Sequence, residues 1–335
     1  MSLVKVKNHL DKFLPLYVPI AMLIGFYIGL HINVPAHKGT FKVLNLIVVI
    51  SMIYPMMINL RISELKKSAR MWKPITVGLM MGLVVAPLLM FLLIKLTSLF
   101  LPLTPEISLG LLLAVVVPCS SMTIAYTGFA GGNLELATIL VALSFTLAIG
   151  VVPLWLKIFA TTAQLSISSW LLVKTIIIVV MIPMVLGIST RYILLKKLGS
   201  EKFLKIKPLF STISLIGLYV IVALIFMEKA QLIYSKPFVV LTVLVPLLMY
   251  YALSLLFLTF FDKFIKIPYK DHMAITFTSV GKNEGTAMAI ALTAGMGVTA
   301  IPPAVTPIFQ IVMLVTYVKL ANVIKRYYGE DTAIQ

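Results

Sequence analysis

The chain has 335 residues, 61% of them hydrophobic, with a mean hydropathy of +1.08 and a formal net charge of +17. Apolarity so far above the soluble norm excludes a water-soluble enzyme, and polar loops of fewer than about twenty residues leave no room for an independent soluble domain. The single cysteine, Cys119, excludes a disulfide framework and any Cys-cluster metal site. With no P-loop, the chain by itself is no ATP-driven pump.

Ten apolar stretches follow one another, at roughly 13–31, 41–60, 74–95, 107–130, 134–158, 167–189, 208–228, 238–261, 273–296 and 299–322. Each is long enough to cross a hydrocarbon core of about 30 Å. Backbone groups in lipid must be satisfied within the segment, so these predict helices. Long runs without alternation, such as Val77 to Ile94, exclude a β-barrel. The first stretch is preceded by charge but by no small-residue cleavage site, and reads as a retained span.

The charge explains itself once the loops are assigned to sides. Lys5, Lys7 and Lys12, the loop Arg61 to Lys73, the loop Arg191 to Lys207, Lys263 to Lys270 and Lys319 to Arg326 together hold 20 of the 28 Lys and Arg. By the positive-inside rule these face the cytoplasm, and both termini with them. The expected setting is a multi-pass protein of the cell membrane, with the lipid bilayer, not nucleic acid, as partner of the positive charge.

The third and eighth stretches, and the fifth and tenth, begin at a nearly fixed offset of about half the chain. Five spans per half is an odd number, so the second half enters from the opposite side. The predicted fold is therefore an all-α polytopic membrane protein: ten transmembrane helices in two five-helix inverted repeats, residues 1–165 and 166–335. The polar stretch Thr161 to Ser166 is the expected connection between them. Pro15, Pro19, Pro55, Pro87, Pro153, Pro183 and Pro246 lie in spans and are expected to mark kinks.

The fourth and ninth stretches are interrupted at equivalent places, which predicts discontinuous helices. In the fourth, Pro118 removes a backbone donor, and Cys119, Ser120, Ser121 and Thr123 follow before Gly131, Gly132 and Asn133. Unwound, this segment would turn hydroxyls and free amides into a cavity, and the next half-helix could receive an anion; packed, the same small residues would serve helix contact. Cys119 is either a small hydrophobe or a soft ligand suited to trivalent arsenic or antimony.

In the ninth, Gly281 and Gly285 flank Lys282, Asn283 and Glu284 near the midplane. A charge at that depth is costly and by default functional. The glycines leave room for Lys282 and Glu284 to pair. Otherwise Lys282 takes up and releases a proton, or stands as a tethered cation in place of a bound metal ion. His9, His31, His37 and His272 sit at span ends or in loops without metal-ligand spacing and carry no expected role; neither a metal nor a cofactor is expected. Without a base at the depth of Cys119 or Ser120, an intramembrane enzyme finds no support.

Several of these residues carry a resemblance. Met52-Ile53-Tyr54-Pro55-Met56-Met57, then Leu60-Arg61 and Glu64-Leu65, look like the second span and first loop of arsenite permeases. Cys119 with Met122, Leu140 to Leu143, Thr276-Phe277-Thr278 and Asn283 match that family at corresponding places. The chain resembles, over essentially its whole length, the superfamily of bile acid:sodium symporters and arsenite efflux permeases, nearer the arsenite branch. The resemblance implies two crossed discontinuous helices around a midplane site.

Departures accompany it. Pro118 stands where arsenite permeases usually have Arg, and Gly285, not Glu284, takes the place of their acidic residue. The sodium ligands of the bile acid branch fall on Thr123, Ile124, Ala137, Val141, Thr278 and Lys282; Ile124, Ala137 and Val141 offer no side-chain oxygen, and Lys282 repels a cation. Sodium coupling is thus not expected.

The site implied comprises Cys119, Ser120, Ser121, Thr123 and Asn283 for substrate, Lys282 and Glu284 for ion coupling, and Pro118, Gly281 and Gly285 as helix breaks. The reading is a proton-coupled secondary transporter exporting arsenite or a similar metalloid. The alternative is a proton- or sodium-coupled carrier of a small organic anion.

Overall fold

The computed structural model describes residues 3–32, 34, 38–60, 71–120, 122–162, 169–235 and 238–330. Arg61, Glu64, Leu65, His37, Ser121 and the proposed 165/166 repeat boundary lie outside these residues.

The described chain is helical, with one isolated antiparallel bridge and no strand. In order come α1 (Leu3–Lys12), α2 (Leu14–His31) and α3 (Lys38–Ile58). Next is a third stretch made of α4 (Trp72–Met80), a π turn (Met81–Val85) and α5 (Ala86–Thr97). The fourth stretch is split into α6 (Pro105–Val116) and α7 (Met122–Phe129), and α8 (Leu134–Thr162) follows. Then come α9 (Ser169–Ile176), a second π turn (Ile177–Met181), α10 (Ile182–Glu228), α11 (Ala230–Ser235) and α12 (Phe238–Phe264). The ninth stretch is split into α13 (Tyr269–Val280) and α14 (Glu284–Thr293); a short 3₁₀ turn, α15 (Ile301–Lys319) and α16 (Ala321–Tyr327) close the chain.

Among the described residues, six helical stretches are long and apolar enough to cross a membrane, or seven if α1 and α2, bent by 74°, form one span. The split stretches fail that test for a plain reason. Twelve-residue half-helices such as α6 and α13 reach only about 18 Å at 1.5 Å per residue, well short of the core thickness. The protein is multi-pass and all-helical.

One expected loop is not a loop. Arg191 to Lys207 continues α10, which is interrupted only at Gly199, with φ 76° and ψ 164°, a conformation that glycine alone adopts cheaply. Its charges sit on a helix surface rather than in a coil. Arg191 donates to Ile58 O at 3.2 Å and lies over the Phe203 ring, so it caps the C-terminal end of α3. A window of 56 residues from Val173 to Glu228 would measure about 84 Å if straight, more than twice the core thickness, so the Gly199 turn divides it.

Helices α2 and α3 both pack on α10, and α4 to α8 pack with α12, α13 and α15. The first group is fastened by close backbone approach. A methyl group at Gly25 would stand 2.0 Å from Ala223 O, and one at Gly29 2.2 Å from Met227 O. That is the small-residue spacing by which membrane helices meet. Helix α14 lies along α3, so the ninth stretch touches both groups.

Candidate functional site

The two breaks cross each other. Ser120 N donates to Gly281 O at 3.1 Å, and Asn283 N donates to Pro118 O at 3.0 Å. Exchanging the two halves exchanges these two bonds. Between them Cys119 and Lys282 form the antiparallel bridge. In such a pair the flanking residues make the hydrogen bonds and the two side chains stand close on one face. Proline at 118 costs this arrangement nothing, because only its carbonyl is used.

That face holds the chemistry. The Cys119 thiol meets Ser144 Oγ of α8 at 3.1 Å. Lys282, 1% exposed, donates from Nζ to Gly82 O at 2.5 Å. Both side chains, with Gly78, Gly82, Leu140, Ser144 and Thr278, line a cavity of about 10 Å³, room for about one water.

Gly82 O is free for a reason visible in the backbone. Ala86 N–H reaches five residues back, to Met81 O, instead of four back to Gly82. Pro87, the next residue that could serve Gly82, has no N–H. The π turn therefore orphans a carbonyl at depth, and the ammonium takes it. Pro87 also frees Leu83 O, which accepts from Trp155 Nε1 at 2.9 Å. The kink expected at Pro87 is thus a π turn with two specific partners.

The remaining predicted residues divide. Ser120 Oγ accepts from Met122 N at 3.3 Å and Ser120 O accepts from Thr123 Oγ1 at 2.6 Å, so both are engaged in starting α7. Thr123 is buried against Gly281, and Gly285 against the Met52 thioether. Asn283 caps α14, its Oδ1 accepting from Thr286 N at 3.0 Å, while its Nδ2 faces Met56 Sδ at 2.9 Å on α3. Asn283 therefore looks towards α3, and the Cys119 thiol towards α8. At α7, the half-helix expected to receive an anion, Met122 N and Thr123 N already donate to Ser120 Oγ and Ser120 O.

Lys282 and Glu284 do not pair. No ion pair joins them: the lysine extends along the cysteine face to Gly82, whereas Glu284 opens α14 beside Gln310, with Oε1 lacking a hydrogen-bond partner. A buried unpartnered carboxylate oxygen needs a proton or a ligand.

Two buried polar groups lie outside the predicted set. His272, expected to be a bystander at a span end, is fully buried: Nδ1 meets Asp262 Oδ2 and Nε2 meets Tyr317 OH, both at 2.8 Å, and its ring stacks on Tyr328. This knot ties α12, α13, α15 and the turn after α16 together at one end of α13. Burial pushes the Tyr328 phenol well above its ordinary value, so it stays neutral there. Gln310 of α15, a lone amide in an apolar span, meets the Lys282 backbone. An amide or imidazole at membrane depth was the available signal.

A larger cavity of about 300 Å³ opens between α3, the end of α10 and the turn after α14, where Asn45 Nδ2 donates to Glu228 Oε1 at 2.6 Å. Asn45, Val49, Met52 and Met56 fall on one face of α3 at helical spacing. The first two line this cavity, and the last two reach Gly285 and Asn283.

A family model described as the sodium bile acid symporter family matches residues 46–236. The arsenical-resistance protein Acr3 of Corynebacterium glutamicum is 28% identical over 303 residues, covering 85% of this chain and 80% of that protein. Acr3 of Alkaliphilus metalliredigens is 22% identical over 339 residues, covering 96% and 94%. An uncharacterized transporter of Synechocystis is 24% identical over 309 residues, covering 85% and 80%.

Proposed function

The chain belongs to the sodium bile acid symporter family, and from that footing we propose that it is a proton-coupled secondary transporter that exports arsenite or a similar metalloid across the cell membrane. Its relatives are transporters, and it too is a transporter rather than an enzyme. In this reading ten spans form two inverted five-helix repeats, 1–165 and 166–335, with both termini cytoplasmic. The reciprocal bonds between the two breaks support the repeat, and the loop charges support the orientation.

The observation that carries the reading is the shared face of Cys119 and Lys282. A thiol supplies a soft ligand for a trivalent metalloid. Beside it, the Lys282 ammonium is held on the backbone carbonyl of Gly82. A positive charge at that place repels sodium and leaves the proton as coupling ion, with Lys282 and Glu284 as its carriers. Ser120, Ser121, Thr123 and Asn283 complete the substrate set, and Pro118, Gly281 and Gly285 permit the crossing. The face of α3 running from Asn45 to Met56 serves as the route between the larger cavity and the crossing.

Purified protein in liposomes tests this. Arsenite flux that disappears in Cys119→Ser supports the metalloid; flux of small carboxylates that is indifferent to that change assigns the organic-anion function instead.

A further inference from the structure

The Lys282 peptide is held from both sides. Its neighbours' groups, Gly281 O and Asn283 N, pair with the first break. Its own N–H and C=O point the opposite way, as an extended residue requires. There they meet one side chain: Gln310 Oε1 accepts from Lys282 N at 2.7 Å, and Gln310 Nε2 donates to Lys282 O at 3.0 Å. The amide of Gln310 stands in for a second strand. Its orientation is fixed by Tyr251 of α12, whose hydroxyl donates to the same Oε1 at 3.0 Å. With the oxygen so occupied, the nitrogen faces Lys282 O and the neighbouring Glu284 side chain. Gln310 and Tyr251 are both buried. Beside the first break the comparable contact is Ser144, which meets the Cys119 thiol and not the backbone.

We propose that Gln310 is a positioning residue for transport and that Tyr251 acts through it. The pair sets the register of the second break, which keeps the Lys282 side chain on the Cys119 face and within reach of Gly82 O. Without the amide, two backbone groups at membrane depth lose their partner, the segment can rotate, and the bridge to Cys119 opens. This inference rests on the crossing being the transport site, yet its main readout does not depend on what is carried.

Cys119 is the chain's one cysteine, so alkylation by a maleimide reports the crossing alone. In full-length protein in liposomes, Gln310→Met is expected to raise the alkylation rate about tenfold and to lower the maximal transport rate about tenfold at nearly unchanged KM. Tyr251→Phe raises alkylation by a smaller factor, and the double variant matches Gln310→Met alone, because the two residues act as one unit. Gln310→Glu, which when protonated keeps one donor and one acceptor, restores slow alkylation. Unchanged alkylation in Gln310→Met, or additive effects in the double variant, overturns the proposal. If Gln310→Met does not fold, Tyr251→Phe decides, since it deletes a single hydroxyl: unchanged alkylation overturns the proposal there too. If neither arsenite nor carboxylates are transported while alkylation follows this pattern, the proposed function fails and the positioning role stands.

Discussion

Replacing Lys282 with Met keeps most of the apolar stem of the side chain and removes its ammonium, both the charge and the N–H donors. The bond to Gly82 O is charge-assisted, and such bonds contribute about 1.5–3 kcal/mol, with about 1–3 kcal/mol more for leaving the carbonyl unpaired. Against this stands the cost of an ammonium in mid-membrane, about 2.5–3.5 kcal/mol on insertion scales. The terms partly offset, leaving a net change between a gain of about 1 and a loss of about 3.5 kcal/mol. At roughly 2–4 °C per kcal/mol for chains of 150–250 residues, the melting temperature should fall by no more than about 14 °C. The variant is therefore expected to fold, as followed by thermal unfolding in detergent, and to lose the response of flux to an imposed pH gradient. Folded Lys282→Met that still follows the pH gradient as the wild type does would falsify the coupling role. Complete loss of folded protein in both Lys282→Met and Lys282→Gln would make the lysine structural.

Other residues give independent outcomes. Cys119→Ser should lose most arsenite flux while melting within a few degrees of wild type, since a hydroxyl can keep the contact to Ser144; retained arsenite flux would remove the thiol from the site. Asp262→Leu removes one hydrogen-bond partner of the fully buried His272, and weakening a buried polar contact of this kind costs about 1–3 kcal/mol, so an unchanged melting temperature would contradict the knot at the end of α13. Gly25→Ala drives a methyl into Ala223 O, and overpacking of this kind costs about 1–3 kcal/mol or more. Folded yield should drop there and not in Gly39→Ala, where the added methyl meets open space; equal yields would refute the α2–α10 contact.

How much of this was legible depends on whether a residue acts locally. The two breaks could be read because Pro118 lacks a donor and because Gly281 and Gly285 flank charged residues in an oily stretch. The shared face of Cys119 and Lys282 could not, because it depends on which residues pair across the crossing. The acceptor of Lys282 left one trace, Pro87, and the π turn it accompanies has no sequence signature of its own. The loop expected at Arg191 to Lys207 failed because its charges suit an exposed helix surface as well as a coil, and only Gly199 is irregular. Pairing of Lys282 with Glu284 was permitted by the glycines but lost to the Gly82 carbonyl, which lies on the cysteine side. His272 was passed over because its partners Asp262 and Tyr317 sit on other helices.

The central claim is that a lysine of the chain stands where a sodium ion would otherwise be required. It is tested most directly by arsenite flux in liposomes with one gradient imposed at a time. A pH gradient with sodium equal on both sides should drive arsenite accumulation, and a sodium gradient at equal pH should drive none. Accumulation driven by sodium and indifferent to the pH gradient would contradict the account.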